Sequence, residues 1–159
     1  MKSVLFVCLG NICRSPAAEA ILRKIVDARG ESNQWKIDSA GIGNWHAGQL
    51  PDSRMRAHAA RRGYQLTHRA RQVRTSDFDD FDVIIGMDSS NIADLHMLAP
   101  SPEAEKKIHA MAEWLDSNSI ATRHDHIPDP YYEGADGFEL VLDLLESALN
   151  TFVNDNQAR

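Results

Sequence analysis

The stretch "KSVLFVCLGNICRSPAAEA", residues 2–20, sets the reading of the whole chain. Its first part, "KSVLFV", is a continuous apolar run rich in β-branched and aromatic residues. Such a run suits a strand buried on both faces, as in a parallel sheet. Its last part opens a helix: Ser15 reads as the N-cap and Pro16 as the first helical residue. Ala18, Ile21, Leu22, Ile25 and Val26 then line one helical face, and Arg29-Gly30 fits a helix end. Between strand and helix lies the tight bend "CLGNICR", which holds both cysteines of the protein, Cys8 and Cys13.

The same alternation continues along the chain. "WKIDSAG" reads as a second strand closed by glycine, and "NWHAGQLPD" as a loop. Residues 53–62 read as a helix ending at Gly63. "DVIIGM" is a third buried strand, followed by a helix from Ser89 to Leu98. "KKIHAMAEWL" fits strand or helix, "HDHIPDPYYEG" is a loop, and "FELVLDLLESALNTFV" is a long amphipathic closing helix. Strands alternating with helices imply an α/β fold with a mostly parallel sheet. In such folds ligands bind beyond the carboxyl ends of the strands. The cysteine-bearing bend occupies that place after the first strand.

Composition narrows the function. The 159 residues are 43% hydrophobic and 25% charged, as expected for one globular domain spanning 1–159. A net charge of −6 argues against a general nucleic-acid binder, which needs a basic surface. One basic stretch, "RMRAHAARRGYQLTHRARQVR" (54–74), reads either as a solvated helix face or as a local positive field near an anionic ligand. No apolar stretch is long enough to span a membrane. The run after Lys2 is short for a signal sequence and is followed by glycine, asparagine and arginine, so a cytoplasmic protein is expected. Two cysteines five positions apart make neither a disulfide scaffold nor a complete zinc site.

The bend itself points to an anion. Backbone N–H groups from Leu9 to Arg14 (Leu9, Gly10, Asn11, Ile12, Cys13, Arg14) can turn inward as a nest, with Gly10 easing the curl. The N-terminus of the following helix adds partial positive charge. Arg14 can donate two parallel hydrogen bonds to a phosphate. The same groups would stabilise a thiolate on Cys8, placing a nucleophile beneath a bound phosphoryl group. Ser15 can donate to the sulfur and help it leave later. The competing reading is an inert, buried cysteine at a strand end. An ATP-binding loop is excluded by the missing second glycine and lysine, and "GIGNWH" lacks the third glycine of a dinucleotide fingerprint.

"VCLGNICRSPAAEA", "DSAGIGNWHAG", "GMDSSN" and "DPYY", in that order over residues 3–155, resemble the low-molecular-weight protein tyrosine phosphatases. The resemblance implies a four-stranded parallel sheet flanked by helices, with the phosphate-binding loop after strand 1 and "KKIHAMAEWL" beginning as the fourth strand. It implies Cys8 as nucleophile, Arg14 as phosphate clamp and Asp129 of the Asp-Pro-Tyr motif as general acid. Asn11 is similar to the asparagine that holds the loop in its curl, and Ser39 and His68 match its hydrogen-bonding partners. His68 would otherwise be an ordinary surface histidine. Asp88 matches the aspartate that anchors the arginine, and Cys13 the second loop cysteine, which can cap the nucleophile in a reversible disulfide. Leu9, Trp45 and Tyr131 match cleft-lining positions, with Tyr132 beside them matching a tyrosine that some members phosphorylate. Trp45 could instead anchor its own glycine-rich loop.

Residue chemistry agrees on the need for an acid. Expelling a phenolate is costly without a proton, and a carboxyl near the leaving oxygen supplies it. Asp129 precedes Pro130, which biases it toward an extended backbone. Negative charge on thiolate and phosphate favours its protonated form. The substrates implied are phosphotyrosine proteins or small aryl phosphates, with inorganic phosphate as product and no metal or other cofactor. "HDH" (124–126) reads as polar surface rather than a metal site. A thioredoxin-coupled arsenate reductase would need a cysteine pair after Cys13, which is lacking. A non-catalytic phosphotyrosine-binding or redox-sensing protein would not need nucleophile, arginine and acid together.

Overall fold

β1 (Lys2–Cys8) is the apolar run after Met1, and it forms the interior of a four-stranded sheet. It pairs in parallel with β2 (Trp35–Gly41), from Lys2 opposite Trp35 to Cys8 opposite Gly41. On its other edge it pairs in parallel with β3 (Val83–Gly86), and β3 pairs in parallel with β4 (Ile108–Ala110). The order is β2-β1-β3-β4. The computed structural model describes residues 1–115, 125–132 and 134–157.

Burial on both faces explains why β1 reads as a continuous apolar run rather than an alternating one. Val4 and Phe6 face a core built with α1 (Arg14–Ala28), α2 (Ser53–Arg61) and α6 (Ala135–Gln157). Leu5 and Val7 face the other way, onto Phe78, Leu95 and Ala104 of α3 (Asp77–Asp80), α4 (Ser89–Leu98) and α5 (Pro102–Glu105). Each such side chain, fully buried, contributes roughly 1.5–3 kcal/mol. The ambiguous "KKIHAMAEWL" enters as β4 and turns into a 3-10 helix at Met111–Trp114.

Helix ends follow the local chemistry, with one correction. Gly30 and Gly63 lie at φ +70° and +86° just past α1 and α2. In both, the next residue's N–H reaches back to the last turn: Glu31 to Val26 O (2.8 Å), Tyr64 to Ala59 O (3.0 Å). Asp52 caps α2, its carboxylate accepting from the Arg54 and Met55 N–H groups. Ser15, however, is not the cap of α1. The helix begins at Arg14, Cys13 precedes it without a side-chain cap, and Ser15 lies in the first turn. Its hydroxyl is engaged instead by Cys8, Asn11 and Ala40. Pro16 is tolerated there because first-turn N–H groups have no helical partner. The short helices α3 and α5 lie beyond the expected elements, although for α5 Ser101 followed by Pro102 is a start signal: Ser101 Oγ accepts from Ala104 N–H at 3.1 Å.

The end of β2 presses on the bend after β1. A Cβ added to Gly41 would lie 2.9 Å from the Gly10 carbonyl carbon and 3.0 Å from the Asn11 nitrogen, both backbone atoms. Gly41→Ala is therefore expected to destabilise by about 1–3 kcal/mol and to weaken the binding of inorganic phosphate expected at the bend. Urea denaturation and phosphate titration check both; unchanged values would mean that loop and strand can part freely.

Candidate active site

The bend from Cys8 to Arg14 closes around Asn11, which sits in the left-handed region at φ +59°. That conformation costs a non-glycine residue energy, least for asparagine. Its side chain offsets the cost with a full set of partners. Asn11 Nδ2 donates to Ser15 Oγ (2.8 Å) and Ser39 Oγ (3.1 Å). Asn11 Oδ1 accepts from Arg71 N–H (3.0 Å) and lies 2.9 Å from His68 Nε2.

A further ring of groups holds these partners. Ser39 Oγ donates to Glu19 Oε1 at 2.7 Å. His68 Nδ1 lies 3.3 Å from Glu19 and 3.5 Å from Asp38. Arg71 grips Asp38 and the buried Asp77. Glu19, Arg71, Asp38 and Asp77 escaped the sequence reading. Glu19 left a trace, a charged residue one turn beyond Ser15 amid alanines. The Arg71 partners are scattered along the chain and left none. Among the described residues, Glu19, Asp38 and His68 are the group whose ligand atoms converge, within 4.8 Å. Glu19 is already hydrogen-bonded to Ser39 and Arg23, Asp38 to Arg71, and His68 to Asn11.

At the floor, Cys8 is buried with its Sγ 3.0 Å from Ser15 Oγ and 3.4 Å from the Ser15 N–H donor. Arg14, 2% exposed, donates from Nη1 to Asp88 Oδ2 (2.6 Å) and to the Ile127 carbonyl (3.0 Å). Burial opposes its charge, yet Cys8, Asp88 and Asp129 nearby hold its pKa above the ordinary value. Among the described residues, Arg14 Nε has no hydrogen-bond partner. A buried, unpaired guanidinium donor suits an incoming oxyanion. Asp88 also caps α4 through Asn91 N–H at 2.9 Å. Burial would raise its pKa, but the Arg14 hydrogen bond and the Asn91 N–H outweigh that and hold it low. Cys13 is buried and free, and desolvation, ahead of the charges of Asp52 and Cys8, pushes its thiol far up.

A cleft of about 210 Å³ opens above this floor. It is lined by Cys8, Leu9, Gly10, Ile12, Cys13 and Arg14 of the bend, by Trp45 and His46, and by Asp129, Tyr131 and Tyr132. His46 was not anticipated; it holds Gln49 at 3.0 Å. The Trp45 ring lies over Gly43, where a Cβ would come within 1.8 Å of it. Trp45 is nonetheless 65% exposed, available to a ligand as well as packed on its own loop. Asp129 Oδ1 accepts from Tyr131 N–H (3.1 Å), and its Oδ2 lies 3.7 Å from Arg14 Nη2. The structure thus brings every expected site residue to the cleft or directly beneath it. Of "HDH", His126 and Asp125 pair with each other at 2.8 Å, while residue 124 lies outside the described residues.

The basic stretch 54–74 is mostly internally paired. Arg62 binds Glu139, Asp143 and Glu146 of α6, and Arg69 donates to the Gly48 carbonyl. Arg54 lies against a cleft wall, its guanidinium 5.3 Å from the Tyr131 ring.

Residues 3–158 match the sequence profile of the low molecular weight phosphotyrosine protein phosphatases. The chain belongs to this family. A family member from Sus scrofa is 43% identical over 140 residues, 88% of this chain and 86% of its own length. The fold is similar to the crystal structure of a protein tyrosine phosphatase from Entamoeba histolytica with Hepes in its active site. That match has a TM-score of 0.93 at 39% identity, covering 99% of this chain and 98% of the other. It is also similar to a Drosophila chain named an arginine phosphatase, with a TM-score of 0.88 at 34% identity and 98% coverage of both.

The low pKa of Asp88 has a consequence for stability. A depressed carboxylate stabilises the fold above its unfolded pKa and loses that contribution as pH falls through the folded one. Asp88→Asn is expected to cost about 2 kcal/mol near neutral pH, with the gap to the parent closing in strong acid. Denaturation curves across pH check this; a gap that is flat or widens in acid refutes it.

Proposed function

We propose that this family member is a single-domain protein-tyrosine-phosphatase that hydrolyses phosphotyrosine and small aryl phosphates through a phosphocysteine on Cys8. The observation that carries the reading is the buried Arg14, held by Asp88 with Nε unpaired, beside the equally buried Cys8. A phosphate seated on the loop would satisfy that donor and lie over the sulfur.

The reaction takes two displacements. The Cys8 thiolate attacks phosphorus in line as the bond to the tyrosine oxygen breaks, and Asp129 gives its proton to that oxygen. Water then attacks the phosphocysteine, passing a proton to Asp129. The sulfur–phosphorus bond breaks, releasing inorganic phosphate and the thiolate. The Ser15 hydroxyl and N–H, at 3.0 and 3.4 Å, stabilise the departing sulfur. Arg14 and the loop from Leu9 to Ser15 hold the non-bridging oxygens through both steps. Asn11, Ser39 and His68 keep that loop in shape. None of these steps draws on a metal.

The name of the Drosophila relative indicates that this fold alone leaves the phosphorylated group open. The cleft walls supply the choice here. Leu9, Trp45 and Tyr131 offer exposed apolar and aromatic surface above the floor, which suits a phenyl ring. Tyr132, 95% exposed at the mouth, is placed to meet the rest of a peptide or to be modified itself. Two free thiols at the centre of the chemistry fit a reducing, cytoplasmic compartment. Among the described residues no helix is long and apolar enough to cross a membrane. Cys13 would protect an oxidised Cys8 by condensing with it to a disulfide.

Turnover of p-nitrophenyl phosphate tests the reading. Activity is expected under reducing conditions with a chelator present, and none from Cys8→Ser; an inactive parent protein would sink the proposal. Asp129→Ala should lower kcat/KM by roughly 10²- to 10⁴-fold for poor leaving groups, and less for good ones. Equal losses across leaving groups would remove Asp129 from the acid role.

A further inference from the structure

Asp129 must reach a leaving oxygen above Arg14, and although Pro130 beside it is buried, the aspartate itself is exposed. Its carboxylate is 42% exposed and accepts one N–H, from Tyr131. The loop is anchored upstream, where Ile127 N–H donates to the Met87 carbonyl (2.8 Å) and Ile127 O accepts from Arg14. It is anchored downstream by the buried Phe138 of α6. Between these points, the Tyr131 ring has two neighbours of note. One is Tyr132, 5.0 Å away and nearly fully exposed. The other is the Arg54 guanidinium, 5.3 Å from Tyr131 and 4.9 Å from the Phe138 ring.

Arg54 is fixed on its other side. Its Nε and Nη2 donate to Asp52 Oδ1 (3.1 Å) and Oδ2 (2.9 Å). Asp52 caps α2, and its own N–H donates to the Ile12 carbonyl (2.8 Å) within the phosphate loop. A path of direct contacts therefore runs from the phosphate loop through Asp52, Arg54 and Tyr131 to Asp129. Arginine is suited to the middle of it. The edge of its guanidinium makes the paired bonds to a carboxylate while its face lies on aromatic rings.

We propose that Arg54 is a positioning residue for the general acid, a strut that sets the distance between the Asp129 loop and the phosphate loop. The proposal rests on the reading of Asp129 above. Arg54 touches no reacting atom; it acts by holding Tyr131, whose N–H orients the Asp129 carboxylate. Without it the loop keeps its anchors at Ile127, the buried Pro130 and Phe138, but Tyr131 loses its support, and the acid it orients drifts from the leaving oxygen. The phosphate site, held from beneath by Asn11 and Asp88, stays as it was.

The test compares kcat/KM for phenyl phosphate and p-nitrophenyl phosphate, a poor and a good leaving group. A displacement of the acid of order 1 Å predicts that Arg54→Ala loses about tenfold more on phenyl phosphate than on p-nitrophenyl phosphate. Arg54→Lys keeps the charge without the paired geometry and should fall between. In an Asp129→Ala background, Arg54→Ala should cost less than about twofold, since both act through one group. Competitive inhibition by inorganic phosphate should be unchanged in Arg54→Ala, which also reports a folded site. Equal losses on the two esters, full additivity with Asp129→Ala, or weakened phosphate inhibition would each overturn the strut. If Asp129→Ala itself loses equally on both esters, the acid assignment falls and the strut falls with it. If Asp129→Ala discriminates and Arg54→Ala does not, the strut alone fails.

Discussion

The carboxamide of Asn11 is the interaction on which the rest of the site depends. The loop after β1 must curl tightly enough to turn successive N–H groups toward one point, and Asn11 takes the left-handed step of that curl. Its four side-chain contacts tie the loop to β2 through Ser39, to α1 through Ser15 and to the segment carrying His68 and Arg71. A loop held this way is preorganised, so a bound phosphate need not bear the cost of ordering it. The network beneath, from Glu19 to Asp77, keeps the partners of Asn11 in place.

Arg14 poses the complementary problem. A guanidinium 2% exposed would be strongly unfavourable without a counter-charge. Asp88 supplies it from the start of α4, and the Ile127 carbonyl takes a second bond from the same nitrogen. Both partners stand at or beyond the carboxyl end of β3: Asp88 directly after it, Ile127 through its hydrogen bond to Met87. The parallel order β2-β1-β3-β4 puts the ends of β1 and β3 side by side. It thereby brings the loop bearing Asp129 into the cleft lined by Cys8. The proposed mechanism depends on that adjacency as much as on the loop.

Charge in this molecule is arranged more economically than its composition suggests. The arginines of residues 54–74 read either as a solvated helix face or as a local positive field, yet Arg62 clasps three carboxylates of α6, Arg71 binds Asp38 and Asp77, and Arg54 binds Asp52. Arg62 and Arg71 thereby tie elements to one another. The link of the stretch to the cleft narrows to Arg54, whose partner Asp52 balances it, so its contribution there is geometric rather than a broad positive field.

The sequence by itself determined the parallel α/β fold and the bend after β1 that holds Cys8 and Arg14 in one cleft. These rest on short-range patterns: a doubly apolar strand, a glycine, and a helix start a few residues on. It also marked Asp129, because a proline neighbour and two tyrosines make that aspartate locally distinctive. The expected contact of Ser15 with the Cys8 sulfur forms, but Ser15 is not a helix cap: cap chemistry is local, while the other partners of its hydroxyl, Asn11 and Ala40, are set by the packing of α1 on the sheet. Only the tertiary structure decided the support beneath the loop. Glu19, Asp38, Arg71 and Asp77 become one network because β2, α1, α3 and the segment before α3 meet under Asn11. Buried polar groups must find partners wherever the fold brings them, and no spacing along the chain encodes which ones those are.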